Sequence, residues 1–160
     1  MIILLLNCGK PQNNDRKTTY LTNTNRQILQ MAKQIKIAEL LNALENLKNG
    51  QTEFNFIGIT SNGIDCIYFV QENDKYNLEF EAIASEQLPY LDKLKDFAVS
   101  NNYKSEITTY NNQPRYKSDK PAPVIRIETN LPLQEMAKFG EKVQSQIFKN
   151  NQETIYDVVP

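Results

Sequence analysis

The amino-acid sequence predicts an α+β domain in which an antiparallel sheet of about five strands carries three helices, in the chain order α-β-β-β-α-β-β-α. Three observations carry that expectation. Apolar residues recur at helical spacing in three stretches, 28–47, 88–98 and 133–148. Elsewhere the apolar period shortens to two, most cleanly over 75–82. Asn62-Gly63 stands between two apolar runs, a strong hairpin signal because both residues tolerate positive φ. With 160 residues, 40% of them apolar, the chain has the material for one core that offsets the entropy of folding.

The elements follow in order. Residues 10–24 are polar and without period, so they read as a linker joining an apolar N-terminus to a single domain over 25–160. Thr24 or Asn25 can cap the first helix, expected over about 25–48, with Ile28, Met31, Ala32, Ile35, Ala38, Leu41, Leu44 and Leu47 on one stripe. Extra apolar residues at 35–37 crowd its polar face, which marks a place for a break, and Gly50 supplies the stop. Phe54, Phe56 and Ile59 then lead through Asn62-Gly63 to a partner strand over 64–70. That strand is apolar on both faces, as a central strand is. A turn at 72–74 opens a third strand whose Tyr76, Leu78, Phe80 and Ala82 should face the core, leaving Asn77, Glu79 and Glu81 in water.

Ser85 should cap the second helix, with Leu88, Leu91, Leu94, Phe97 and Ala98 on one face and an end near Asn101. Residues 103–110 are rich in Thr and Tyr and make a solvent-facing strand, and 111–123, with three prolines and four charges, make a loop. A strand over 124–129 precedes the third helix, started by Asn130 and Pro132 and carrying Leu133, Met136, Ala137, Gly140, Val143, Ile147 and Phe148 inward. Gly140 there should let the helix approach the sheet closely. Residues 154–159 either add an edge strand or trail.

This order of elements over about 25–150 resembles the class I type III secretion chaperone-like fold. The resemblance implies an antiparallel sheet with helices on one side and frequent dimerisation. Small immunity and adaptor proteins share similar orders.

Composition narrows the chemistry. Eighteen Lys and Arg against nineteen Asp and Glu provide no net field to attract a polyanion, so nucleic acid is not an expected partner. The sequence has no His, the commonest general base and metal ligand, and Cys8 and Cys66 are too few for a disulfide framework or thiolate zinc site. No cofactor or metal is expected. Cys66, flanked by apolar residues, reads as a core residue, and Asp65 as a water-facing residue beside the turn, with a cleft acid as the alternative. Glu79 and Glu81 share one strand face, as do Arg126 and Glu128, and the two sets can pair if their strands meet.

Two segments invite a functional reading. Met1 to Leu6 is apolar and ends near Cys8, like the tail of a bacterial lipoprotein signal, which would lipidate Cys8 and anchor the chain in an envelope. Asn7 sits where a small residue is usual, and the alternative is a short strand or docked terminus in a cytoplasmic protein. Six apolar residues fall far short of the roughly 20 that span a bilayer, so membrane contact is expected only through Cys8. Gly9-Lys10 is not a phosphate-binding loop, because Pro11 replaces the hydroxyl residue and the first glycine is missing. In the loop, Tyr110, Arg115, Tyr116 and Lys117 mix aromatic and basic side chains, a combination suited to a contact surface. Since no nucleophile, base and orienting group come together at a meaningful spacing, the sequence reads as a non-catalytic protein-binding module, chaperone-like, immunity or adaptor, and a candidate homodimer. The alternative is a small enzyme or ligand-binding protein working through carboxylates and Tyr.

Overall fold

The alternation at 75–82 becomes an interior strand of a seven-stranded, wholly antiparallel sheet. The computed structural model describes residues 33–109 and 121–159. In chain order these form β1 (Gln34–Lys36), α1 (Leu40–Lys48), β2 (Phe56–Thr60), β3 (Ile67–Glu72), β4 (Lys75–Glu81), α2 (Leu88–Ser100), β5 (Lys104–Thr109), β6 (Pro123–Leu131), α3 (Leu133–Gln146) and β7 (Ile155–Val159). The strands lie in the order β1-β7-β2-β3-β4-β6-β5. Three helices on an antiparallel sheet were expected; the number of strands is larger by β1 and β7.

Both additions come from pairing across long sequence separations. Residues 34–36 were expected in the first helix, yet Ile35 lies opposite Tyr156 and is buried, with Gln34 and Lys36 exposed on either side. Three residues of strand satisfy that alternation, so tertiary pairing overrides the helical period. The helical turn begins only after them, where the Glu39 carboxylate accepts from the Lys36 amide at 2.8 Å. Residues 155–159 are not an edge: β7 lies between β1 and β2, with Asp157 opposite both Gln34 and Thr60.

The core lies on one face of the sheet. Ile57, Ile59, Ile67, Phe69, Leu78, Phe80, Ile125 and Ile127 alternate inward from four adjacent strands and meet Leu40, Leu44 and Leu47 of α1, Leu94 and Ala98 of α2, and Met136 and Val143 of α3. Burying each Leu, Ile or Phe contributes about 1.5–3 kcal/mol. Gly140 does let α3 come close. A Cβ there would lie 2.6 Å from the Phe69 ring and 2.9 Å from a Leu40 methyl. Leu88, expected inward, is instead exposed, because the helix proper starts at that residue after a short 3-10 turn. Ser85 does not cap it. The Gln87 side-chain oxygen accepts from the Ile83 and Ala84 amides, both at 2.8 Å, and its amide donates to Gly63 and Ile64 carbonyls, tying the start of α2 to the β2–β3 loop.

That loop differs from a two-residue hairpin. β2 and β3 do pair, Ile59 opposite Ile67, but Ser61 to Cys66 all lie between them. Gly63 takes φ +80 while Asn62 acts through its side chain, accepting from the Ile64 amide at 2.8 Å. Cys66 therefore precedes β3 and is half-buried; burial raises its thiol pKa, which keeps it protonated. Among the described residues no helix is long and apolar enough to cross a membrane.

Candidate functional site

All three helices pack on the face that carries Ile57 and Phe69, so the opposite face of the sheet is covered by no helix among the described residues. Cross-strand register places one row straight across it: Val159, Gly58, Tyr68, Glu79, Arg126 and Glu106. The row divides in two. On β7, β2 and β3 it is apolar and aromatic; on β4, β6 and β5 it is charged.

The aromatic half rests on the parity of β2. Ile57 and Ile59 turn to the helices, which sends Phe56, Gly58 and Thr60 to the other side. Phe54 stacks on Phe56 with ring centroids 5.2 Å apart, and Phe56 meets Tyr68 edge-on at 5.9 Å. A Cβ on Gly58 would stand 2.8 Å from the Tyr68 ring and 2.6 Å from a Val159 methyl, so the glycine leaves room for both side chains to lie over its strand. Phe54 remains 46% exposed, and Ile155, at the other end of the same face, 48%. Exposed apolar side chains thus remain at both ends of this face.

The charged half is an ion network. Arg126 donates to Glu79 at 2.9 Å and also bonds Glu72, and its side chain is only 20% exposed. Burial disfavours the guanidinium charge, but the two carboxylates outweigh it and raise its pKa. The expected meeting of Arg126 with the Glu79 strand is therefore present. The expectation that Asn77 and Glu79 face water is not: both are buried. Asn77 donates to Glu72 at 3.1 Å and accepts from the Asn130 amide at 3.1 Å, filling an irregularity where two residues of β4 span four of β6. Asn130 takes φ 49 there, and the Thr129 hydroxyl donates to the Tyr76 carbonyl at 2.6 Å.

Asp65 is the second buried carboxylate, and it does not face water. It is 1% exposed and accepts from the Thr60 hydroxyl and Ser61 amide, both at 2.8 Å, from the Ser61 hydroxyl at 2.5 Å, from the Asn62 amide at 3.3 Å and from the Asn150 side chain at 2.6 Å. Burial pushes its carboxyl pKa up, yet these donors together hold it below the ordinary value. An acid so fully bonded organises the loop and joins it to the end of α3; it has no lone pair directed at a cleft. Nearby, Tyr156 is fully buried and no group meets its hydroxyl in hydrogen-bond geometry; burial and the Asp65 charge push its phenol up to about 12, against a smaller opposing pull from the Asn150 and Thr154 side chains. It lines a dent, shared with Ile37, Gln144 and Asn150, that has room for about one water molecule.

Cys8 and the loop residues Tyr110, Arg115, Tyr116 and Lys117 lie outside the described residues. The flanks of that segment are placed: Thr109 stands opposite Pro123, the last pair of the β5–β6 ladder. Sequence reading missed the Phe54, Phe56 and Tyr68 cluster. The signal was present as Phe54, Phe56 and Tyr68 on one parity, with Ile57, Ile59 and Ile67 on the other, although Phe69 is an aromatic on the helix side. Compared with protein-family models, curated proteins and solved structures, the chain matches none of them.

Proposed function

We propose that the chain is a non-catalytic protein-binding module, of the chaperone, immunity or adaptor kind, whose contact surface is the sheet face opposite the helices. The observation that carries the reading is the Phe54, Phe56 and Tyr68 cluster, aromatic area held rigidly beside a charged network on a face no described helix covers. Interface anchors are enriched in such aromatic side chains, and a neighbouring fixed charge pattern selects among partners. The Tyr110–Lys117 segment, which joins β5 to β6 in the sequence, adds aromatic and basic groups to the same module. What favours binding over catalysis is where the bonds of the buried carboxylates go. Asp65 serves five donors and Glu79 holds Arg126, so each is committed to structure.

The test is capture from a lysate of the source cells with the wild-type chain, with Phe54→Ser/Phe56→Ser, and with Lys95→Ser on the helix side as control. A protein retained by wild type and control and lost by the double variant supports the reading. Equal retention by all three overturns it.

A further inference from the structure

The sheet ends in two edges of unequal kind. β1 has three residues, one of them Lys36, whose ammonium meets Glu153 at 2.5 Å. β5 has six, almost all exposed, with no proline, and among the described residues it pairs only with β6. Which backbone groups it leaves unmatched follows from the ladder. The Pro123 carbonyl accepts from the Ala82 amide on β4, so Pro123, Ile125 and Ile127 direct their backbone groups to β4, and Val124, Arg126 and Glu128 direct theirs to β5. Their partners Thr108, Glu106 and Lys104 are thereby bonded inward. Ser105, Ile107 and Thr109 present N–H and C=O outward, a template for another strand.

We infer that β5 pairs antiparallel with β5 of a second copy of this chain, about a two-fold axis through Ile107, joining two sheets into one. The outward residues are symmetric about Ile107: it meets its own counterpart, and Ser105 meets Thr109 of the second copy twice, which engages all three outward residues of each strand. The register sets no like charges directly opposite, since Glu106 faces Thr108. Ile107 shares a sheet face with Ile125 and is 47% exposed, so the pairing covers apolar surface at the free edge. Directly opposed residues in a sheet share a face, so the axis stands perpendicular to the sheet and both aromatic clusters emerge on the same side. The assembly would offer two contact surfaces in one plane, and it stands whether or not those surfaces bind a partner.

The experiment measures solution mass by light scattering on the full chain. Wild type should have twice the 18.5 kDa chain mass. Ile107→Pro removes an outward N–H that β6 does not use, a position where an edge strand accepts proline, and should weaken the dimer at least tenfold with the circular dichroism unchanged. Ile107→Cys brings two thiols opposite each other in a hydrogen-bonded pair about 5.5 Å apart at Cα, within disulfide range. Mild oxidation should cross-link it, while Ser105→Cys, facing Thr109, should show no more cross-linking than wild type. A monomeric wild type, a dimer that survives Ile107→Pro, or equal cross-linking of the two cysteine variants overturns the inference. Should Ile107→Pro unfold, the cysteine pair decides alone.

Discussion

Replacing Asp65 with alanine deletes one carboxylate that five donors share, and the structure sets the size of the effect. Hydrogen bonds to a charged acceptor contribute about 1.5–3 kcal/mol each. The five are not additive, since the half-exposed Thr60 and Ser61 groups can turn to water while Asn150 and the loop amides lose their anchor. The expected net loss is about 3 kcal/mol, or about 10 °C in Tm for a domain of this size. Asp65→Asn keeps the shape and one acceptor oxygen and should lose about half as much. The effect has a pH signature. The folded carboxyl has a lowered pKa, so its contribution is complete above the unfolded value and is lost as pH falls through the folded one. Urea unfolding followed by circular dichroism should therefore show the gap between wild type and Asp65→Ala constant near neutrality and closing below about pH 4. A gap under about 1 kcal/mol at neutral pH, or one that does not close in acid, would refute the role assigned to Asp65.

Other residues make separate claims. Gly140→Ala should destabilise by about 1–2 kcal/mol in denaturant melts, because the overpacking against Phe69 and Leu40 exceeds the roughly 1 kcal/mol that alanine adds as a helix former. Tyr156→Phe should leave stability unchanged or raise it by up to about 1 kcal/mol, since it removes a buried hydroxyl that no group meets in hydrogen-bond geometry. In an ultraviolet pH titration the same variant should lose a phenol that ionises at about 12 in the wild type, and the wild type alone should lose stability as pH rises from the ordinary phenol range toward that value. Arg126→Met should lose about 2 kcal/mol by removing the guanidinium between Glu72 and Glu79, with little relief from salt because the pair with Glu79 is mostly buried.

The parts of the fold that the sequence disclosed are those with local causes. The alternation of β4, the stripes of α2 and α3, and the close approach at Gly140 each follow from spacing within a dozen residues. β1 was hidden, and β7 was expected at most as an edge, because the two define each other: Ile35 is a strand residue only when Tyr156 lies opposite it, 121 positions later. Asp65 was misplaced for a related reason. Its nearest donors are in its own loop, but the cover that buries it comes from the end of α3, where Asn150 reaches back. Glu79 and Asn77 alternate as water-facing residues should, and only the facing Arg126 and the irregularity at Asn130 enclose them. The aromatic surface was legible in composition and invisible in orientation, since Phe56 and Ile57 are both apolar and only the register says which one meets the helices.

Under the proposed function, Phe56 lies in a protein contact. Its most direct measurement is photo-cross-linking in the source cells, with benzoylphenylalanine replacing Phe56 in one chain and exposed Lys95 of α2 in another. A discrete protein adduct at Phe56 and none at Lys95 is the expected result. No adduct at either position, or the same adducts at both, would contradict it.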